Sequence, residues 1–248
     1  MIGLFDSGVG GLAVLREVRS LLPQADIVYL ADQANAPYGR RTLDEVRGFA
    51  EQATRRLIAY GATTVVVACN TASAAALGHL RHRHPEVGFV GMEPAVKPAV
   101  AATRSGVVGV LATVATFTAS VFDDLVGRFS EGIEVIAQPC PGWAQAVEDG
   151  WPDAEPAIRA HLQPLLDAGV DTLVIACTHY SFLDDVITLA APGVTVIDPA
   201  AAVARQVARV ADATGTGRTI YKTTGDPARF AGQILRLLGE SVEVGAAG

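Results

Sequence analysis

Along this chain, short unbroken apolar runs alternate with longer stretches in which apolar residues recur at helical spacing. IGLFD at Ile2–Asp6 precedes Leu12–Leu22, IVYLAD at Ile27–Asp32 precedes Leu43–Tyr60, and TVVVAC at Thr64–Cys69 precedes Ala72–His82. Runs with no polar alternation predict strands buried on both faces, and the periodic stretches predict helices that cover them. The rhythm is that of a parallel sheet with helices on either side. Pro37, Pro94, Pro139 and Pro199 follow strand-like runs, where loops should begin.

The pattern also repeats. GLFDS at Gly3–Ser7 matches GVLAT at Gly109–Thr113 with an offset of 106, and the VVAC that ends at Cys69 matches the VIAC that ends at Cys177 with an offset of 108. EPA at Glu93–Ala95 and DPA at Asp198–Ala200 differ by 105. Three landmarks in one order at nearly one offset predict two similar α/β halves, each with a cysteine at the C-terminal end of its third strand. Ligands of open α/β sheets bind outside the carboxyl ends of the strands, so two facing halves would enclose one site with a thiol on either side.

Composition narrows the function classes. A chain of 248 residues, 50% hydrophobic and 18% charged, buries a substantial core. Its net charge of −7 comes from dispersed acids and offers no electrostatic footprint for nucleic acid. No run is long enough to span a membrane, and no basic segment followed by a long apolar one opens the chain, so a cytoplasmic location is expected. An odd count of three cysteines without an export signal argues against a disulfide framework.

Cys69 and Cys177 stand at equivalent strand ends, each followed by amide or hydroxyl side chains in ACNTASA and ACTHYS. Two thiols on opposite faces of a substrate suit inversion of a carbon centre: one as thiolate removes a proton, the other as thiol returns one from the far side. A thiol pKa near 8.5 is close enough to neutrality for either role. His179, two residues past Cys177, and Asp6, at the end of the first strand, are candidates for tuning them. Cys140, between prolines and unmatched in the repeat, reads as a buried structural thiol. Gly8, Gly10 and Gly11 in FDSGVGG lie between a strand and a helix, a seat for an anion. Their spacing is not that of a dinucleotide fingerprint, and a small carboxylate is the expected occupant. APYGRR reads as a loop with Tyr38 at its tip. HLRHRH at His79–His84 reads as a solvated helix end and not a metal site, and Lys97 and Lys222, the only lysines, stand in no pocket-like motif. No metal and no cofactor is therefore expected.

FDSGVGG, PYG (Pro37–Gly39), ACNTASA, TVAT (Thr113–Thr116), CPGWAQAVEDG (Cys140–Gly150), CTHY and TTGD (Thr223–Asp226) occur in that order over nearly the whole chain. The set resembles the glutamate racemases of the cofactor-independent Asp/Glu racemase superfamily. Ser181 stands where proline is usual after CTHY, GWAQ replaces a more apolar stretch, and Ala13 and Ala31 stand where Thr and Gly are common. The resemblance implies two pseudo-symmetric, doubly wound α/β domains with mainly parallel sheets, residues 1–95 plus 208–248 and residues 96–207, with the active site between them. It implies Cys69 and Cys177 as the two bases, acting on the D- and L-enantiomers respectively, Asp6 assisting Cys69, and His179 with Glu148 assisting Cys177. Asp6, Ser7, Asn70, Thr71, Thr116, Thr178 and His179, with Pro37, Tyr38 and Gly39, would hold the substrate. The expected activity is interconversion of L- and D-glutamate for peptidoglycan, by a homodimer without cofactor. Racemisation of aspartate or another small acid on the same scaffold stays open, as does a non-catalytic partner-binding role like that of gyrase-inhibiting relatives.

Overall fold

A computed structural model gives the fold and describes residues 1–118, 120–150 and 154–247. The strands are β1 (Ile2–Asp6), β2 (Ile27–Ala31), β3 (Thr64–Val67), β4 (Gly88–Gly91) and β5 (Val107–Ala112). They continue with β6 (Glu134–Pro139), β7 (Thr172–Ile175), β8 (Thr195–Ile197), β9 (Thr219–Thr223) and β10 (Val244–Ala246). Between them lie α1 (Leu12–Leu21), α2 (Leu43–Ala59), α3 (Asn70–Arg83), α4 (Val96–Ala102), α5 (Val114–Phe117) and α6 (Ser120–Phe129). The remaining helices are α7 (Trp143–Asp149), α8 (Ala154–Asp167), α9 (Asp184–Ala190), α10 (Ala200–Val210) and α11 (Pro227–Leu238).

Among the described residues these strands form two sheets, ordered β10-β9-β2-β1-β3-β4 and β6-β5-β7-β8, with every pairing parallel. The order β2-β1-β3-β4 reappears as β6-β5-β7-β8, the two-fold similarity expected from the repeat. Strands β1, β2, β3 and β7 are buried at every residue, which is why their sequences carry no alternation. Helix ends follow local chemistry. Thr42 and Glu45 close a capping box at the start of α2, and Asp226 caps α11 with Pro227 in its first turn.

The third pair of repeat landmarks, Glu93–Ala95 and Asp198–Ala200, marks the two places where the chain crosses between sheets, after β4 and after β8. The division expected between residues 207 and 208 falls inside α10, whose Val203, Ala204 and Val207 are buried together and which packs on α1 and on β4 of the first sheet. Pro139 does not start a loop. It ends β6, paired with Ala112, at the edge of its sheet, where a missing N–H costs no ladder bond.

Candidate active site

The C-terminal ends of β1, β3 and β7 converge on one cavity, and both repeat-related thiols line it. Cys69 leaves β3 in an extended conformation and stands at the N-terminus of α3. Cys177 leaves β7 in the same way and opens a 3-10 turn over Thr178–Leu183. Both are almost wholly buried, with 6% and 7% exposure, and both are free thiols. Burial and the charge of Asp6 push the Cys69 thiol up, against the backbone amides of Ala72 and Ser7, which favour its thiolate.

The two thiols have different neighbours. His179 Nδ1 lies 4.0 Å from Cys177 Sγ, and its Nε2 lies 2.9 Å from Glu148 Oε1. Burial alone would lower the His179 pKa. Contacts with Cys177, Glu148 and Asp6 outweigh it and raise the imidazole well above its usual value. Burial likewise works to raise Glu148, but His179, the Val9 amide and Gln233 bring it below the usual carboxylate range. Asp6 is fully buried beneath the cavity. Its Oδ1 accepts from the Gly8 amide at 2.8 Å and its Oδ2 from the Thr178 hydroxyl at 2.9 Å. Burial holds its carboxyl above the usual range despite His179 and these donors.

Ser7, Pro37, Tyr38 and Gly39 form one part of the cavity wall, and Asn70, Thr71, Thr178 and His179 another. Both polar side-chain atoms of Asn70 are buried and have no partner. A buried amide left so costs free energy that a bound polar ligand would recover. Three expected site residues lie elsewhere. Asp6 is below the wall. Thr116 stands behind it, 2% exposed, with its hydroxyl 3.3 Å from Thr71 and 3.0 Å from Thr113. Glu148 lines the neighbouring polar recess, which shares Ser7, Pro37 and His179 with the main cavity. Thr113 lines the cavity in place of Thr116, and the repeat carried the signal, since it aligns Thr113 with Ser7. Cys140 also borders the cavity, but it is 2% exposed within the apolar core and its Sγ donates to the Gln138 carbonyl at 3.4 Å.

The glycine turn has an occupant different from the one expected. The amide of Val9 donates to Glu148 Oε1 at 2.8 Å, so the anion seated there is a side chain of the second half. A Cβ at Gly8 would overlap that carboxylate, and one at Gly10 would lie 2.5 Å from both His179 Nδ1 and Thr178 Oγ1. These glycines therefore admit the second half's residues. Tyr38 is not an exposed tip either. It is 1% exposed and its hydroxyl donates to Asp32, which also accepts from Thr224 and Asn35 and so ties down the loop that carries Gly39. Sequence reasoning passes over Asp32.

Among the described residues no group of three or more His, Cys, Asp or Glu could hold a metal ion. His79 and His84, expected in solvent, reach Glu51 of α2 at 3.4 and 3.2 Å. No lysine lines the cavity. Lys97 lies over the Phe129 ring and Lys222 over that of Tyr60.

Residues 12–207 match the family described as Asp/Glu/Hydantoin racemase. The chain is 50% identical to a glutamate racemase of Roseiflexus sp. (strain RS-1), over 95% of this chain and 91% of that protein. It superposes on a glutamate racemase isoform from Bacillus anthracis with a TM-score of 0.90 at 30% identity, covering 100% of this chain and 97% of the other. The Escherichia coli glutamate racemase, solved in complex with L-glutamate and the activator UDP-MurNAc-ala, superposes with a TM-score of 0.89 at 31% identity, covering 100% and 98%.

Proposed function

The chain belongs to the Asp/Glu/hydantoin racemase family, and from that premise we propose that it interconverts L- and D-glutamate by proton transfer between two thiols. One observation carries the reading: Cys69 and Cys177, from equivalent strand ends of the two halves, line a single cavity.

In this mechanism the Cys69 thiolate takes the α-proton of D-glutamate, an S–H bond forms as the C–H bond breaks, and the electron pair passes into the adjacent carboxylate. The Cys177 thiol then gives its proton to the opposite face of the α-carbon, leaving a thiolate and L-glutamate. The reverse direction exchanges the roles. The α-proton is weakly acidic, so donors aimed at the developing charge matter as much as the bases. Asn70, with its unpartnered amide, and the hydroxyls of Thr71 and Thr178 are suited to this. The His179 imidazolium, sustained by Glu148, stabilises a thiolate at Cys177. Asp6, with its raised pKa, serves the other side as a proton-holding group that also orients Thr178.

Glutamate as substrate is supported by the relatives' names and by the L-glutamate bound to the Escherichia coli protein. Supply of D-glutamate for peptidoglycan, a homodimer and a cytoplasmic location belong to the same proposal. Among the described residues no helix is long and apolar enough to cross a membrane. The test is circular dichroism of L-Glu, D-Glu, L-Asp and D-Asp, each incubated with pure protein after exhaustive dialysis against chelator. Decay of the signal for both glutamate enantiomers at equal final ellipticity is expected. Loss of the aspartate signals alone, no change in any sample, or activity restored only by zinc or pyridoxal phosphate would each overturn the reading.

A further inference from the structure

Glu148 belongs to the second half, yet most of what holds its carboxylate belongs to the first. Its Oε1 accepts from His179 Nε2 at 2.9 Å and from the Val9 amide at 2.8 Å. Its Oε2 accepts from Gln233 Nε2 at 2.9 Å and from Gln33 Nε2 at 3.3 Å. Gln233, on α11, is 2% exposed, and its Nε2 also donates to the Glu148 carbonyl at 2.9 Å. Its Oε1 accepts from Gln33 Nε2 at 2.7 Å, and Gln33 Oε1 accepts from the Thr223 hydroxyl at 3.0 Å. The chain from Thr223 through Gln33 and Gln233 to Glu148 thus runs in one donor sense. Turning either amide over would set an oxygen against an oxygen. Packing alone would be met as well by leucine, without a buried amide to satisfy.

We infer that Gln233, backed by Gln33, is the positioning residue that fixes the Glu148 carboxylate onto His179 across the seam between the halves. The Cys177 side of the site is then complete only when the two halves are closed on each other, because parting them strips Glu148 of Val9, Gln33 and Gln233 together. The role given to Cys177 rests on the proposed racemase reading. The positioning of Glu148 does not.

The other charged or titratable groups around Glu148 do not substitute for this amide. Asp6 and Tyr29 face it from the first half and disfavour its charge or are disfavoured by it. Arg236 donates to the carbonyls of Val147 and Glu148 and not to the carboxylate. Asp149, on the same helix, is engaged by Arg229 and Gln145. Cys177 acts through His179. Removing the Gln233 N–H therefore leaves Oε2 with only the longer bond from Gln33, so the carboxylate is no longer held against His179 and the imidazolium loses the partner that sustains it.

The test compares the parent protein with Gln233→Leu and Gln33→Leu, using 15N-labelled histidine and NMR titration. In Gln233→Leu the His179 midpoint should fall by about one pH unit, a tenfold change, while the other histidines stay put. Gln33→Leu should give a smaller fall of the same sign and serves alone if Gln233→Leu does not fold. A His179 midpoint unmoved in a folded variant overturns the inference. For the Cys177 role, α-deuterated substrates are used. A primary isotope effect that rises for L-glutamate and not for D-glutamate supports it, and equal changes for both overturn its direction-specific part. If the parent does not racemise glutamate, the proposed function fails while the NMR titration still decides the positioning.

Discussion

Gly10→Ala is a single methyl group placed where the two halves meet. The new Cβ would lie 2.5 Å from His179 Nδ1, 2.5 Å from Thr178 Oγ1 and 2.7 Å from the His179 backbone nitrogen. The last is main chain and cannot swing aside, so the turn that begins at Thr178 has to retreat by roughly 0.5–1 Å to restore van der Waals contact. That retreat lengthens the bonds of His179 to Glu148 and of Thr178 to Asp6, both 2.9 Å, and so disturbs the helpers proposed for both thiols. A misplacement of this size is expected to lower kcat by about 100-fold and to cost about 1–3 kcal/mol of stability. Gly48→Ala is the control. Gly48 is exposed within α2 with nothing within 4 Å of a built Cβ, so alanine there should stabilise by about 0.5–1 kcal/mol and leave activity alone. Racemisation followed by circular dichroism and thermal melts of both variants give the comparison. A folded Gly10→Ala that keeps more than half the parental kcat would refute the claim that this turn seats the catalytic residues proposed for the second half.

Two further outcomes follow from the same geometry. Cys69→Ala and Cys177→Ala should each lower racemisation by about 1,000-fold or more, since inversion needs both faces, whereas Cys140→Ala should cost about 1 kcal/mol in a melt and keep most activity; an inactive but folded Cys140→Ala would contradict the sorting of the thiols. Asp6→Asn should be less active yet more heat-stable than the parent at pH 7. The folded-state pKa of Asp6 is raised, so its stabilising contribution is present below the usual carboxylate pKa and lost as pH rises toward the folded value. The advantage of the asparagine variant in melting temperature should therefore shrink as the pH is brought down toward about 4, and a difference that does not vary with pH would refute it.

How much of this was legible in sequence depended on the range of the interaction. Strands β1, β3 and β7 were plain because parallel strands covered on both faces leave an unbroken apolar signature. Their shared landmarks exposed the two-fold plan and paired Cys69 with Cys177. Strand β9, reading TIYKT with only Tyr221 and Thr223 buried, has no such signature, because it is flanked by the short, partly exposed β10. The glycine turn was recognised as an anion seat, but its occupant, Glu148, lies 139 residues away and no local rule could name it. Gln33 and Gln233 are ordinary in sequence and acquire meaning only through each other, 200 residues apart. Asp32 was missed for a shorter-range reason: the strand-like run IVYLAD made it look like a strand's polar terminus, whereas it is the post to which Tyr38 is tied.

The order of strands β10-β9-β2-β1-β3-β4 has a consequence for how the molecule is born. The second sheet is drawn from one contiguous stretch, Val107–Ile197, and all its strands are synthesised before β9. The first sheet is not so fortunate. Its β2, apolar and buried at every residue in the finished protein, presents an open hydrogen-bonding edge until Thr219–Thr223 arrives to pair with it. During synthesis that edge is the adhesive part of the nascent chain, the kind of bare strand on which stray association begins. The half that is synthesised first is thus the half that is sealed last, and its closure delivers Gln233 on the helix that follows β9, so that the site acquires its final support only as the sheet's edge is covered.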